Sequence, residues 1–289
     1  MGLVDAYLIP TVDGVAYGLL LFTVAAGLTV AFSVGGVLNL AHGTLYTLGA
    51  YIAAVLSDGT WSGLALAVGV GAVVGAVGGG VLAAAVAPLS GRGHLAQALL
   101  TFGAALVAAD GLATLLGPNE LPVLIPSELG TSASIAGHRY PAYRLAFIAI
   151  AVLLAGVGWL VLARTRVGAR VRAAVDDPQM LACLGTNPRM VQAAVLAAAG
   201  GLAGMVGVLG APIIGPGPGT ANAVLLLSLV VVVLGGPGSV PGALVAAVAV
   251  GQIQTLGVTL RADWAPFLLF AAMAAALIAR PRRLVGSRA

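Results

Sequence analysis

The sequence predicts an all-α polytopic membrane protein of eight or nine transmembrane helices, with broken or re-entrant segments near residues 210–242. Three observations carry this. Of 289 residues, 60% are hydrophobic and only 8% are charged, against about 25% charged in an average soluble domain. The apolar residues fall into stretches near the 20 or so that one membrane-spanning helix requires. The basic residues gather between alternate stretches, as an orientation signal does.

The first span runs from Gly14 to Gly35. Asp5 and Asp13 precede it and no basic residue does, whereas a secretory signal opens on positive charge, so this reads as a retained span. Further apolar stretches follow at about 37–56, 63–87, 95–116, 145–163, 191–209, 222–235, 240–259 and 264–279. Their interiors hold one formal charge, Asp110, which snorkelling to the nearer interface accommodates. Nine alternating crossings with a cytoplasmic C-terminus place residues 88–94, 164–190 and 280–289 inside. Those pieces carry ten of the thirteen basic residues, in accord with the positive-inside rule. Arg139, Arg144 and Arg261 lie opposite with Asp5, Asp13, Asp58, Glu120, Glu128 and Asp263, and the N-terminus is then outside. The stretch of about 117–144 becomes a long outer loop, and that of about 164–190 the longest inner one. Residues 222–235 are short for a core about 30 Å thick, and Gly215-Pro-Gly-Pro-Gly219 and Gly235-Gly-Pro-Gly238 bound them. Read as a half-helix, that segment reduces the count to eight and turns the N-terminus inward.

Residues 1–289 thus form a single membrane domain, with no room for a large catalytic domain outside the bilayer. All thirteen basic residues are arginine. Mechanisms that need a lysine, including the phosphate grip of a P-loop and the Schiff base of a pyridoxal enzyme, are excluded. One cysteine, Cys183, rules out an internal disulfide, and His42, His94 and His138 are too scattered for a metal cage. The 42 glycines have a use in lipid, where small residues four apart let helix backbones approach closely. Gly14/Gly18, Gly71/Gly75, Gly75/Gly79 and Gly200/Gly204 have that spacing, and packing within the chain is the expected use.

Polar side chains inside the spans mark candidate sites, because each needs a partner or water there. The second span opens with Gly35-Gly-Val-Leu-Asn-Leu-Ala-His-Gly43. On a continuous helix, Asn39, Gly43, Tyr46 and Thr47 share one face, with His42 beside them. Two uses are open: the stripe lines a solute path, or Asn39 and His42 tie helices together. Gln97, Thr101, Ser228 and Gln252 are further neutral candidates for a cavity. Paired breaks at 210–221 and 235–242 also point to a path, since irregular backbone at membrane depth is tolerated only inside protein or along a cavity. In the long inner loop, Asp177 suits an N-cap, Pro178 the first helical position and Gly185 the stop, which predicts a short helix over about 178–184. Met180, Leu181 and Leu184 are its apolar knobs. The helix either docks a partner or folds back on the bundle.

These motifs resemble a known family. Val37-Leu-Asn-Leu-Ala-His-Gly43 followed by Leu48-Gly-Ala-Tyr51, then Thr165-Arg-x-Gly168 through Gly207-Val-Leu209, then Gly235-Gly-x-Gly-Ser-x-Pro-Gly242 are similar, in order, to the LivH-type inner-membrane permeases of branched-chain amino acid ABC importers. Thr186 departs from the aliphatic residue usual after that glycine. The resemblance implies a transmembrane permease subunit that is not itself an enzyme and binds no cofactor, with ATP and Mg on partner subunits. It implies a second similar permease, two cytoplasmic ATPase subunits and an extracytoplasmic solute-binding protein as partners, in the cell membrane. It assigns ATPase coupling to Arg172, Asp177, Met180, Leu181, Leu184 and Gly185, and leucine, isoleucine or valine as cargo. Permeases for urea or short amides share the architecture and are the nearest alternative. An ion-coupled secondary transporter is an alternative of another class, which predicts membrane carboxylates beyond Asp110.

Overall fold

The structure is a computed structural model that describes residues 3–261 apart from 37, 90, 118, 136 and 237, with isolated positions between 264 and 278. In chain order the elements are α1 (Leu3–Gly35), α2 (His42–Leu56), α3 (Trp61–Val86, prolonged by a 3-10 turn at Ala87–Leu89), α4 (His94–Leu116), β1 (Ser132–Ile135), β2 (His138–Pro141), α5 (Ala142–Arg164), α6 (Arg166–Asp176), α7 (Pro178–Cys183), α8 (Pro188–Gly210), α9 (Thr220–Gly235) and α10 (Val240–Arg261). Six described helices are long and apolar enough to cross a membrane: α1, α3, α4, α5, α8 and α10. Helix α2, at 15 residues, and α9, at 16, are shorter, reaching about 22 and 24 Å at 1.5 Å per residue. The expected last span, 264–279, lies largely outside the described residues, as do the arginines from 280 onward.

The core is built from α1, α2, α8, α9 and α10, with Leu20, Leu21, Val24, Tyr46, Val206, Val224 and Val250 fully enclosed. Close packing at the seams comes from the glycine pairs. On α3, Gly71, Gly75 and Gly79 present bare backbone to Gly200, Gly204 and Leu196 of α8, so that a Cβ on Gly75 would run into the Gly200 carbonyl. Gly14 and Gly18 do the same for α1 against Gln252 and Ala247 of α10. Gly49 of α2 meets the Gly204 carbonyl, which makes α8 a spine shared by two partners. The small-residue spacing is therefore consumed inside the chain, as expected.

Helices α4 and α5 are peripheral, with most of their apolar side chains facing outward. Asp110 on α4 is exposed. The outer loop departs from an all-helical reading. Its β1 and β2 form an antiparallel hairpin, pairing Ser132 with Pro141 and Ile135 with His138. Tyr140 donates from its hydroxyl to Asp13 Oδ1 at 2.6 Å, Arg144 pairs with the same carboxylate, and Tyr143 donates to the Leu209 carbonyl at 2.6 Å. Burial and the Asp13 carboxylate push the Tyr140 hydroxyl above its ordinary range, because ionisation would set two anions together. The loop is thereby strapped to α1 and to the end of α8.

Candidate functional site

The start of α2 differs from the continuous helix expected over 37–56. The backbone leaves α1 at Gly35, turns at Gly36 with φ +61°, and resumes helix only at His42. Asn39 therefore does not share a helical face with Gly43, Tyr46 and Thr47. Its Oδ1 instead accepts the Ala41 N–H at 3.1 Å, a local turn that Asn side chains favour and that competes with the helix. Thr101 of α4 fastens the stretch: its hydroxyl oxygen accepts the Leu40 N–H at 3.1 Å and lies 3.2 Å from the Leu38 carbonyl, to which it can donate. Asn39 and Thr101 are both buried. The Gly35-Gly36 pair and Asn39 were the available signals for this break.

His42 fixes the depth of the turn. Its Nε2 lies 3.0 Å from the carbonyl of Val24. A carbonyl can only accept, so Nε2 carries the proton and Nδ1 is left as an acceptor. Val24 is eleven residues up α1 from Gly35, about 16 Å of helix. The described residues between Gly36 and Ala41 therefore run back along α1, and α2 starts beside its middle.

Other buried polar groups lie along α2 and on α9, which packs against it. Gly43 packs so closely on α9 that a Cβ would collide with the Ala221 carbonyl. Ser228, one turn along α9 from Leu225, is fully buried. Tyr46 is enclosed with its hydroxyl against Gly210, and Thr47 returns its hydroxyl to the Gly43 carbonyl at 3.0 Å. His42 Nδ1, Tyr46 Oη and Ser228 Oγ have no hydrogen-bond partner in the described structure, an arrangement that costs free energy unless water or a solute supplies one. Gln97 and Gln252 stand apart. Gln97 lines a cavity of about 160 Å³ with Arg189 and Gln192, and Gln252 donates to the Thr11 carbonyl at 2.9 Å in the α1–α10 seam.

Both expected chain breaks near 210–242 flank α9. Helix α8 stops at Gly210, where a Cβ would lie 2.8 Å from Leu20 of mid-α1, so residues 211–219 are irregular at that depth. Outer-loop residues cover them, Leu121 donating its N–H to the Pro216 carbonyl at 3.1 Å. After α9, Gly236 and Gly238 take positive φ, and Ser239 Oγ accepts the Gly242 N–H at 3.1 Å.

The 164–190 loop holds two helices where one was expected. Helix α6 begins on the Thr165 cap, places Gly168, Val171 and Ala174 against the bundle, and leaves its arginines outside. Helix α7 follows the predicted punctuation. Asp177 Oδ1 accepts the Gln179 and Met180 N–H groups at 2.9 and 3.0 Å. Gly185, at φ +80°, closes the helix as Gly185 N–H bonds the Ala182 carbonyl and Thr186 N–H the Leu181 carbonyl, the paired bonds of a glycine C-cap. The six candidates take different places. Leu181 is only 4% exposed, whereas Met180 is 58% and Leu184 70% exposed. Leu181 is thus an inward anchor rather than a projecting knob. Arg172 donates to the Leu162 carbonyl at the end of α5, satisfying one of the carbonyls a helix end leaves open. Of these six, only Met180 and Leu184 present apolar surface outward.

Loss of the Thr101 hydroxyl is expected to weaken the fold locally. Thr101→Val keeps the shape and removes the partner of Leu40 N–H, at a cost of about 1–3 kcal/mol. A lowered thermal midpoint in detergent checks this, and an unchanged midpoint would show that the turn holds without its hook.

Comparisons with known proteins bear on the whole chain. A family model described as branched-chain amino acid transport system / permease component matches residues 11–277. The high-affinity branched-chain amino acid transport system permease protein BraD of Pseudomonas aeruginosa is 25% identical over 296 residues, covering 97% of this chain and 96% of its own. The corresponding LivH proteins of Escherichia coli and Salmonella typhimurium are 26% and 25% identical, each across 95% of this chain and 94% of their own. No solved structure matches. With glycine-locked apolar helices, a broken α2 and a capped surface helix already in view, the near-complete match settles the grouping: this chain belongs to the family of permease components of branched-chain amino acid transport systems.

Proposed function

We propose that this chain is the permease subunit of an ATP-driven importer and translocates leucine, isoleucine or valine by alternating access. It crosses the cell membrane eight or nine times, with α6, α7 and the C-terminus in the cytoplasm. It pairs with a second permease, two ATPase subunits that hold ATP and Mg, and an extracytoplasmic solute-binding protein. The observation that carries this reading is the form of α7. A six-residue helix capped at both ends and anchored by Leu181 turns Met180 and Leu184 outward on a chain without a lysine. Exposed apolar groups outside the spans mark a contact surface, and an ATPase pressing there moves α6, which packs on the inner part of α1 and α8 through Val171.

The path passes the start of α2. Asn39, His42, Gly43, Tyr46, Thr47, Thr101 and Ser228 surround it, and parting α2 from α1, α8 and α9 exposes polar groups otherwise unpaired. An apolar side chain with one ammonium and one carboxylate suits a passage with few polar partners. In a Cys183→Ser background, Asn39→Cys and Thr47→Cys are expected to react with water-soluble thiol reagents during ATP turnover and far more slowly at rest, since both positions are buried here. Protection in every state would reassign them to helix packing. Competition of labelled leucine uptake by isoleucine and valine, and not by urea or acetamide, is the expected cargo result; competition by the amides alone would move the cargo to that class.

A further inference from the structure

A cavity of about 710 Å³ forms a groove between α1, α5 and α8 that α6 closes at one end. Its walls are apolar side chains such as Phe22, Val30, Leu154, Trp159 and Leu202. Its polar lining is uneven. Arg170, Thr186 and Asn187 all belong to the α6–α7 end, and Thr23 is engaged with the Leu20 carbonyl at 2.8 Å. Among the described residues no carboxylate lines the groove, so an amino acid would find a side-chain partner for its carboxylate and none for its ammonium.

We propose that this groove binds an anionic phospholipid of the leaflet on the α6–α7 side, with acyl chain between the helices and phosphate on Arg170. Three features select that occupant. The walls are faces of helices long and apolar enough to span the membrane, so the groove opens sideways into hydrocarbon. The cation stands only at the end where a headgroup would lie. Helix α6 itself has an apolar face against the bundle and arginines 166, 170 and 172 on the rest, the pattern of a helix at a membrane surface. Basic residues at such a level attract anionic headgroups. The lipid would fill the space between α5 and α8 and couple the position of α6 to the inner half of α1.

The test is made on the full complex after detergent purification, with dioleoyl phosphatidylglycerol and phosphatidylcholine as probes and native mass spectrometry as the readout. The wild-type complex is expected to retain phosphatidylglycerol preferentially. Arg170→Gln should lower that retention about fivefold, the factor for one arginine–headgroup contact, while Arg166→Gln, which removes a charge from the same helix without touching the groove, should not. Ala198→Trp, which fills the groove from α8, should displace both lipids. Equal retention of the two lipids, or equal effects of the two arginine variants, would overturn the proposal. So would disulfide trapping of Ala198→Cys to the second permease, which would make the occupant a protein.

Discussion

Leu184→Asp is expected to abolish ATP-driven uptake while leaving the chain folded and in the membrane. Leu184 is 70% exposed and ends a six-residue helix whose caps do not involve its side chain, so a carboxylate there costs the isolated permease little. Pressed into an apolar contact on a partner, the same charge is buried without a counter-ion, at about 3–5 kcal/mol. That is more than a hundredfold in docking affinity. The measurement pairs membrane abundance and thermal midpoint with uptake in proteoliposomes: both stability readouts near wild type, and uptake reduced to background. Leu181→Asp should behave differently. Leu181 is 4% exposed, and a charge placed there detaches α7 from the bundle, so stability falls along with uptake. Wild-type transport by Leu184→Asp would mean that α7 is not where the motor pushes.

Gly75→Leu is expected to prevent the chain from accumulating in folded form. Already at the first carbon, a side chain on Gly75 would meet the Gly200 carbonyl and crowd the Gly204 backbone, and backbone cannot rotate away as a side chain can. Overpacking in ordinary cores costs about 1–3 kcal/mol, and here the whole α3–α8 seam must part. Gly103→Leu on α4 is the control, because a Cβ there meets nothing within 4 Å. Size-exclusion profiles in detergent should show a monodisperse peak for Gly103→Leu and aggregate for Gly75→Leu. Equal profiles would show that the seam is looser than the packing implies.

What the sequence made legible is what local chemistry determines. Span positions follow from runs of apolar residues: α3, α4, α5, α8, α9 and α10 agree with the expected stretches to within about three residues at either end, whereas α1 begins at Leu3 rather than Gly14 and α2 at His42 rather than residue 37. The glycine pairs follow from spacing, and the limits of α7 from Asp177, Pro178 and Gly185, each of which acts on its own backbone. What depends on distant partners was not legible. Leu38 and Leu40 read as helix, yet Thr101, some sixty residues on, holds that stretch as a turn. Leu181 and Leu184 look alike in a string of letters, and only the packing of α7 separates an anchor from a contact. Arg172 reads as a surface charge until the end of α5 supplies a carbonyl for it. The hairpin at 132–141 escaped for another reason: its eight strand residues are too few and too polar to announce a sheet beside long hydrophobic runs.

The most direct measurement of the central claim is leucine accumulation in proteoliposomes that contain this chain with its second permease and two ATPase subunits, supplied with the solute-binding protein outside. Accumulation that requires internal ATP, and that vanishes when the ATPase subunits are left out, is the predicted result. Accumulation by this chain alone under a proton or sodium gradient without nucleotide would contradict it.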